Sequence, residues 1–215
     1  MSPEILATTI VVLSWVAFTI VMGRRPRPPA SPPAAGAPLA KRDRRSVIGI
    51  ALQFVALAIV WSPPRYGIAR VIERAQGASH GLLLAVWLGV IAAFMVAGVA
   101  LARAAILTLG KQWTLVATVA SDHALVTSGP YARVRHPIYS ALLLLLLGTG
   151  LAMSGWLQIV LGVVSFSIGT AQRVRLEERL LAETHGAEFQ AYRTTVPAVL
   201  PRLVGRDPTT HRPSH

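Results

Sequence analysis

Apolar residues in this chain come in long runs, not at the spacing of an amphipathic helix or the alternation of a half-buried strand. Pro3 to Met22 carries Glu4 at its start and no further charge before Arg24. About 20 such residues suffice to cross a bilayer as a helix. Ser46 to Trp61 is a second, shorter run with Gln53 near its middle; Ser62-Pro63-Pro64 ends it, because proline cannot continue the helix ladder. Gly81 to Ala102 is a third, closed by Arg103, with Ala104 to Leu109 extending the same helix. Ile138 to Met153 and Gly155 to Ala171 are the fourth and fifth. The break at Ser154-Gly155 is so short that these two must form an antiparallel hairpin. Gly148 with Ala152, and Ser165 with Gly169, give it small residues four apart that allow close helix contact. Only helices and closed barrels satisfy their backbone inside lipid, and runs without period-two alternation select helices. The expected fold is an all-α integral membrane protein with five transmembrane helices, the last two a tight hairpin.

With spans at 1–22, 46–61, 81–102, 138–153 and 155–171, the remaining segments take distinct characters. Residues 23–45 form a linker, extended by Pro26, Pro28, Pro29, Pro32, Pro33 and Pro38 and ending in the basic cluster Lys41 to Arg45. This reads as a solvated spacer and membrane-surface anchor. Arg65 to His80 is an amphipathic surface loop. Residues 103–137 are a polar connection. Beyond Ala171 the fifth helix continues through Arg173 to Glu183, where Arg and Glu alternate with Leu; Gly186 is its expected end. A short helix from Glu188 to Thr195, stopped by Val196-Pro197, completes the C-terminal helices at 172–203. The polar, proline-containing residues 204–215 are expected to be a disordered tail.

Composition agrees with the pattern. The chain is 53% hydrophobic and only 14% charged, where soluble domains have about 25% charged residues. The absence of cysteine excludes disulfides and thiolate chemistry. A net charge of +12 would also suit a nucleic-acid binder, but its distribution favours a membrane. Residues 23–45, 103–137 and 172–215 hold seven, four and seven of the 21 Lys and Arg residues; the opposite side holds Arg65, Arg70 and Arg74. The positive-inside rule then puts the N-terminus outside and the 103–137 connection and C-terminal helices in the cytoplasm. Because the positive charges follow the first apolar run and no A-x-A site succeeds it, this run is a retained span and not a cleaved signal peptide. The basic, alanine-rich character looks bacterial, which implies the inner membrane.

Candidate chemistry gathers in one polar island, Asp122 to Tyr139, reading D-H-A-L-V-T-S-G-P-Y-A-R-V-R-H-P-I-Y. Pro137 suits the first position of a helix, where its missing N–H costs nothing. His136 and Tyr139, three apart, then share one helix face. Arg173 and Glu177, four apart, share a face of the last helix. Taken singly, Tyr139 reads as an interfacial anchor and Arg173–Glu177 as a surface ion pair worth under ~1 kcal/mol. Taken together, at the cytoplasmic ends of two helices of one hairpin, they read as two halves of a site.

These residues carry a family resemblance. His123-Ala-Leu-Val126, Thr127-Ser-Gly129, Tyr131 and Arg135-His136-Pro137-x-Tyr139 form its first half. Arg173-x-x-x-Glu177-Glu178, Leu180-Leu181, Gly186-x-Glu188-Phe189-x-x-Tyr192, Val196-Pro197 and Pro201 form its second. Over roughly residues 105–203 the chain resembles the isoprenylcysteine carboxyl methyltransferase family. The resemblance implies a membrane-embedded enzyme that uses S-adenosylmethionine. Its cytosolic cofactor pocket would be enclosed by the 105–137 connection and the C-terminal helices. His123, Ala124, Leu125, Val126, Tyr131, His136, Pro137, Ile138, Tyr139 and Glu177 would line that pocket, and Arg173 would face the methyl acceptor. Eukaryotic members carry Gln seven residues before the first His of the motif; here an ungapped count finds Val116, with Gln112 nearby.

The residue types suit the chemistry. Methyl transfer from a sulfonium is an in-line displacement that needs orientation more than acid–base help. Aromatic faces such as Tyr131 and Tyr139 suit a sulfonium or an adenine ring, and Glu177 can accept hydrogen bonds from amino or ribose groups. A carboxylate acceptor needs only a guanidinium to hold it, which Arg173 supplies. An amine or thiol acceptor would need a base, His136 or His123. The acceptor classes left open are an isoprenylcysteine-like carboxylate, a phospholipid amine, a small thiol or another lipid. A non-catalytic scaffold whose basic loops bind anionic lipid is the alternative of a different class. No G-x-G-x-x-G follows a strand, which argues against a soluble Rossmann-type methyltransferase. The spacings of His123, His136 and His185 match no usual metal-ligand pattern.

Overall fold

A computed structural model describes residues 2–23, 44–62, 79–110 and 124–202. Most of the proline-rich linker, most of the amphipathic loop, His123, Val116, Gln112 and the tail from 203 lie outside these residues.

Among the described residues, five α-helices follow from the apolar runs. Helix α1 is Pro3–Gly23, opened by Ser2, whose hydroxyl accepts from the Ile5 N–H at 3.4 Å. Helix α2 is Arg44–Trp61. Its last turn is closed by the Ser62 hydroxyl donating to the Ile59 carbonyl at 2.7 Å. Helix α3, Ser79–Leu109, is longer than the expected span because Ala104 to Leu109 continue it. Its 31 residues reach about 46 Å at 1.5 Å per residue, more than the ~30 Å hydrocarbon core. Helix α4 is Pro137–Met153, with Pro137 at its first position. Helix α5 is Trp156–Thr195. Gly186 interrupts α5 with φ 49° and ψ −120°, a left-handed φ that glycine adopts without a Cβ penalty. The chain turns there, and the last turns of α5 carry Phe189 and Tyr192 into buried positions.

Among the described residues there is no strand. Three helices are long and apolar enough to cross a membrane: α1, α3 from Gly81, and α5; α2 and α4 are apolar but shorter. Apolar side chains cover the outside as well as the inside. Leu13, Phe54, Leu82, Val96 and Val164 are all exposed, which is the arrangement expected of helices facing lipid.

In lipid the hydrophobic effect does not hold helices together, so close packing and hydrogen bonds must. Ala7 and Val11 of α1, Ile91 and Met95 of α3 and Ala141 and Leu145 of α4 make one buried cluster. Across it the Trp15 indole donates to the Thr149 hydroxyl at 3.0 Å and the Trp87 indole to the Leu151 carbonyl at 3.1 Å. Ala56, Val60, Leu146 and Phe166 make the second. Along the α2–α5 seam the Gln53 amide donates to the Thr170 hydroxyl at 2.9 Å, and the Ser165 hydroxyl to the Leu52 carbonyl at 2.9 Å.

One expectation changes here. The small residues of the last two helices do not serve mainly to press them on each other. A Cβ on Gly148 would meet Met95 and Phe94 of α3, and one on Gly169 would meet Gly49, Leu52 and Gln53 of α2. The hairpin is tight in sequence, but α4 packs chiefly on α3 and α5 chiefly on α2. Small residues specify close approach without specifying the partner.

Candidate functional site

The site begins where the chain is forced out of helical geometry. Gly129–Ala132 forms one 3-10 turn. His136, preceding a proline, stands at φ −125° and ψ 64°, since α geometry is disfavoured for that residue. The first N–H groups of a helix lack intrahelical partners, and those just ahead of them are also open. Here the C-terminal segment fills two of them. The Arg135 N–H donates to the Pro197 carbonyl at 2.9 Å and the His136 N–H to the Ala198 carbonyl at 2.8 Å. The Ser140 hydroxyl donates to the Val199 carbonyl at 2.5 Å. Residues 197–199 therefore lie as a strap across the start of α4. Tyr192 holds the approach to the strap, its hydroxyl donating to the Tyr131 carbonyl at 2.6 Å.

Beneath the strap, two consecutive acids of α5 face two consecutive cationic residues before α4. Glu178 Oε1 accepts from Arg135 Nη2 at 2.6 Å and Nε at 2.9 Å, and lies 3.3 Å from His136 Nε2. Its Oε2 lies 3.4 Å from Arg193 Nε. Arg135 Nη1 also donates to the Arg193 and Val196 carbonyls, so one guanidinium ties α5 to the strap. Glu177 Oε2 lies 3.4 Å from His136 Nδ1. Glu177 Oε1 accepts from the Tyr139 hydroxyl at 2.5 Å and from Arg173 Nη2 at 3.2 Å.

His136 is thus buried between two carboxylates, with one ring nitrogen on each. Burial alone would push its pKa down, but the hydrogen bonds and charges of Glu177 and Glu178 outweigh this and raise it above the usual imidazole value. Burial would likewise raise both carboxyls. The hydrogen bond to His136 overrides it, helped by Tyr139 at Glu177 and by Arg135 at Glu178, so both are held below the usual carboxylate range. Each ring nitrogen of His136 thus faces a carboxylate oxygen, Nδ1 that of Glu177 and Nε2 that of Glu178. Burial pushes the Tyr131 phenol up and the Tyr192 phenol up to about 12, so both stay neutral donors.

Arg173 is held on two sides. Its guanidinium carbon lies 5.5 Å from the centroid of the Tyr139 ring, within cation–π range, and its Nη2 is on Glu177. Its Nε is buried without a hydrogen-bond partner among the described residues. An unsatisfied buried donor costs about 1–3 kcal/mol. Glu177 offers the complement: a carboxylate has about four acceptor positions, and three are taken, leaving one on Oε2. An open donor and an open acceptor sit on adjacent side chains.

The residues singled out from the sequence fall into three groups. His136, Tyr139, Arg173 and Glu177 converge, with the Tyr131 phenol close enough for the Glu177 charge to act on it. Pro137 is buried as the first residue of α4, with Ile138 half-buried beside it. Ala124 is exposed and Leu125 and Val126 half-buried in an extended segment, without a hydrogen bond to the cluster among the described residues. Glu178, Arg135, Arg193, Ser140 and the strap were not assigned roles from the sequence. The signal available was the facing of two dipeptides, Arg135-His136 and Glu177-Glu178, in a chain with nine acidic residues in all. Among the described residues no group of three or more His, Asp or Glu forms a metal-holding set.

Comparison with known proteins bears on this same region. Residues 90–183 match the isoprenylcysteine carboxyl methyltransferase (ICMT) family. The chain is 35% identical over 97 residues to the cobalt-zinc-cadmium resistance protein CzcN of Cupriavidus metallidurans, covering 45% of this chain and 44% of that protein. It is 34% identical over 82 residues to the protein-S-isoprenylcysteine O-methyltransferase of Schizosaccharomyces pombe, covering 38% of this chain and 35% of that one. With the Xenopus laevis protein of the same name it is 34% identical over 122 residues, 55% of this chain and 42% of that one. The chain matches less than half the length of each of these three relatives. The segment matched by the family runs from the middle of α3 to beyond Glu178, and leaves out α1, α2 and the strap.

Proposed function

We propose that this chain, whose residues 90–183 match the ICMT family, is a membrane-embedded methyltransferase that uses S-adenosylmethionine. Its acceptor is a lipophilic carboxylate of the isoprenylcysteine type, entering from the bilayer. The observation that carries the reading is the open pair on Arg173 and Glu177: a buried guanidinium Nε without a partner beside a carboxylate with one acceptor position left.

This donor set fits the cofactor. When bound, S-adenosylmethionine supplies an electrophilic methyl group on a sulfonium sulfur. Glu177 would hold its amino or ribose hydroxyl groups through the remaining Oε2 position. The Tyr131 and Tyr139 rings would give it aromatic faces, and His123 to Val126, His136, Pro137 and Ile138 would complete the wall. Arg173 would present Nε to the acceptor carboxylate, fixing one oxygen for in-line attack; such positioning carries most of the rate in a displacement of this kind. A carboxylate needs no base. The commitment of both His136 nitrogens to Glu177 and Glu178 supports a carboxylate acceptor over a phospholipid amine or a small thiol, since either of those would ask His136 for a lone pair.

All five helices take part in the proposed membrane domain, α2 and α4 crossing as short spans. The N-terminus is outside and the cluster faces the cytosol, in a bacterial inner membrane. Membrane lipids surround the exposed apolar side chains, and nucleic acid has no role in this reading.

Calorimetry with S-adenosylhomocysteine on the detergent-purified chain tests the proposal. Binding is expected; a folded chain that does not bind would sink the enzyme reading and leave the lipid-binding scaffold. Glu177→Ala should weaken that binding by about ten- to a hundredfold, the worth of charge-assisted hydrogen bonds. Arg173→Ala should leave binding intact and instead abolish turnover of a prenylated cysteine carboxylate.

A further inference from the structure

The family match starts at residue 90, so nothing in it assigns a role to α2. Yet α2 touches the residue that faces the acceptor in the reading above. A Cβ built on Gly49 would lie 2.7 Å from Arg173 Cγ, 3.6 Å from Arg173 Cδ and 2.9 Å from the Gly169 carbonyl. The aliphatic stem of Arg173 therefore occupies the notch that glycine leaves in α2. Beyond the stem, the guanidinium lies over Tyr139 and on Glu177. Arg173 is clamped: α2 holds the stem, α4 holds the head, and Nε faces neither partner.

The position of α2 along α5 is itself fixed. Gln53, one turn on from Gly49, donates to Thr170, one turn before Arg173. Ser165 donates to Leu52. A Cβ on Gly169 would come 2.6 Å from the Gly49 carbonyl, so the two backbones nearly touch beside Arg173. Without this register the long, rotamer-rich side chain of Arg173 would have no single place for its charge.

We infer that Gly49 is a positioning residue for the acceptor site: the absence of its side chain sets where the Arg173 guanidinium stands. The inference rests on the proposed role of Arg173 in holding the acceptor carboxylate. The plainer alternative is that Gly49 serves only to pack α2 on α5. Gly162 is the control, because it lies on the same seam, with a Cβ that would meet Val60 at 2.8 Å and Ala56 at 3.4 Å and does not touch Arg173.

The test is nitrogen-15 NMR of the arginine Nε–H groups in the full chain in detergent, with the Arg173 resonance assigned by its loss in Arg173→Lys. Gly49→Ala should shift or broaden that resonance, and Gly162→Ala should leave it in place. With a prenylated cysteine carboxylate as acceptor, Gly49→Ala should lower kcat/KM for the acceptor by about ten- to a hundredfold, the scale of a misplacement near 1 Å. S-adenosylhomocysteine affinity should be unchanged in both variants. Equal shifts from the two substitutions, or no shift from Gly49→Ala, would overturn the inference. Should Gly49→Ala not fold, the native chain decides: a nuclear Overhauser contact between the Gly49 α-protons and the Arg173 γ-protons is expected, and its absence overturns the notch. Failure of the native chain to bind S-adenosylhomocysteine is a separate result. It removes the methyltransferase reading and the acceptor role with it, while the resonance data still report whether the clamp exists.

Discussion

The two ends of the α4–α5 pair solve the same problem by opposite means. At the turn, Ser154 donates its hydroxyl to the Val60 carbonyl at 2.6 Å and its N–H to the Gly150 carbonyl at 2.8 Å. The Gly155 N–H donates to Gln158 Oε1, and Gln158 Nε2 reaches Ser62, the residue after α2. Every one of these groups is neutral and partnered. At the other end, Arg135, His136, Arg173, Glu177, Glu178 and Arg193 are linked through two carboxylates, and the buried Arg173 Nε has no partner among the described residues. A turn needs only to be satisfied. Charges gathered beside a span carry a desolvation cost that fold alone does not require, and the ligand proposed above would offset part of it at the unmatched donor.

The contrast can be broken most severely at Glu178. Glu178→Ala would leave Arg135, itself 9% exposed, without its carboxylate, and removing one partner of a buried pair costs about 3–5 kcal/mol. Thermal unfolding in detergent should show that loss, and limited proteolysis should show the 187–202 region released first. A change no larger than that of an exposed pair would put the cluster back among surface charges.

Dependence on pH should separate the two ends next. The His136 pKa is raised above 6.5 in the folded chain, so its contribution is complete below that value and disappears as pH rises through the raised one. The Glu177 and Glu178 values lie below 4.5, so their contribution is complete above it and disappears as pH falls through the lowered ones. Stability should therefore be greatest from about pH 4.5 to 6.5 and decline on both sides. His136→Gln should flatten the alkaline limb; an alkaline limb already flat in the native chain would contradict a raised His136 value. Nothing at the turn titrates in this range.

The smallest effect belongs to the turn. Ser154→Ala removes one neutral hydrogen bond and should cost about 1 kcal/mol, read from the same unfolding experiment, with S-adenosylhomocysteine binding unaltered.

Much of this was legible in the residues, for reasons that also mark where legibility stops. Unbroken apolar runs announce helices, and Pro137, Gly186 and Pro197 announce breaks, because their backbone constraints are local. The i, i+3 pair His136–Tyr139 and the i, i+4 pair Arg173–Glu177 could be placed on faces, and the short break at Ser154-Gly155 joined them, with the family resemblance in support. Glu178 could not be told from a solvated acid, since two adjacent helical positions point about 100° apart and either can face water. The strap carries no side-chain signature, because it binds through the carbonyls of Pro197, Ala198 and Val199. Gly169 announced closeness but not its partner, and Gly49 was not singled out at all.

The strap has a consequence for how the protein is made. Ser140 finds its acceptor on Val199, 59 positions later, and Arg135 and His136 wait on residues at least as distant. During synthesis α1 to α4 can be threaded and packed while the start of α4 still has open donors and His136 has neither carboxylate. Only after Glu177, Glu178 and then residues 197–199 have emerged can the cluster close. The charged centre is therefore the last part of the molecule to find its partners, and a chain stalled after the last span would lack it.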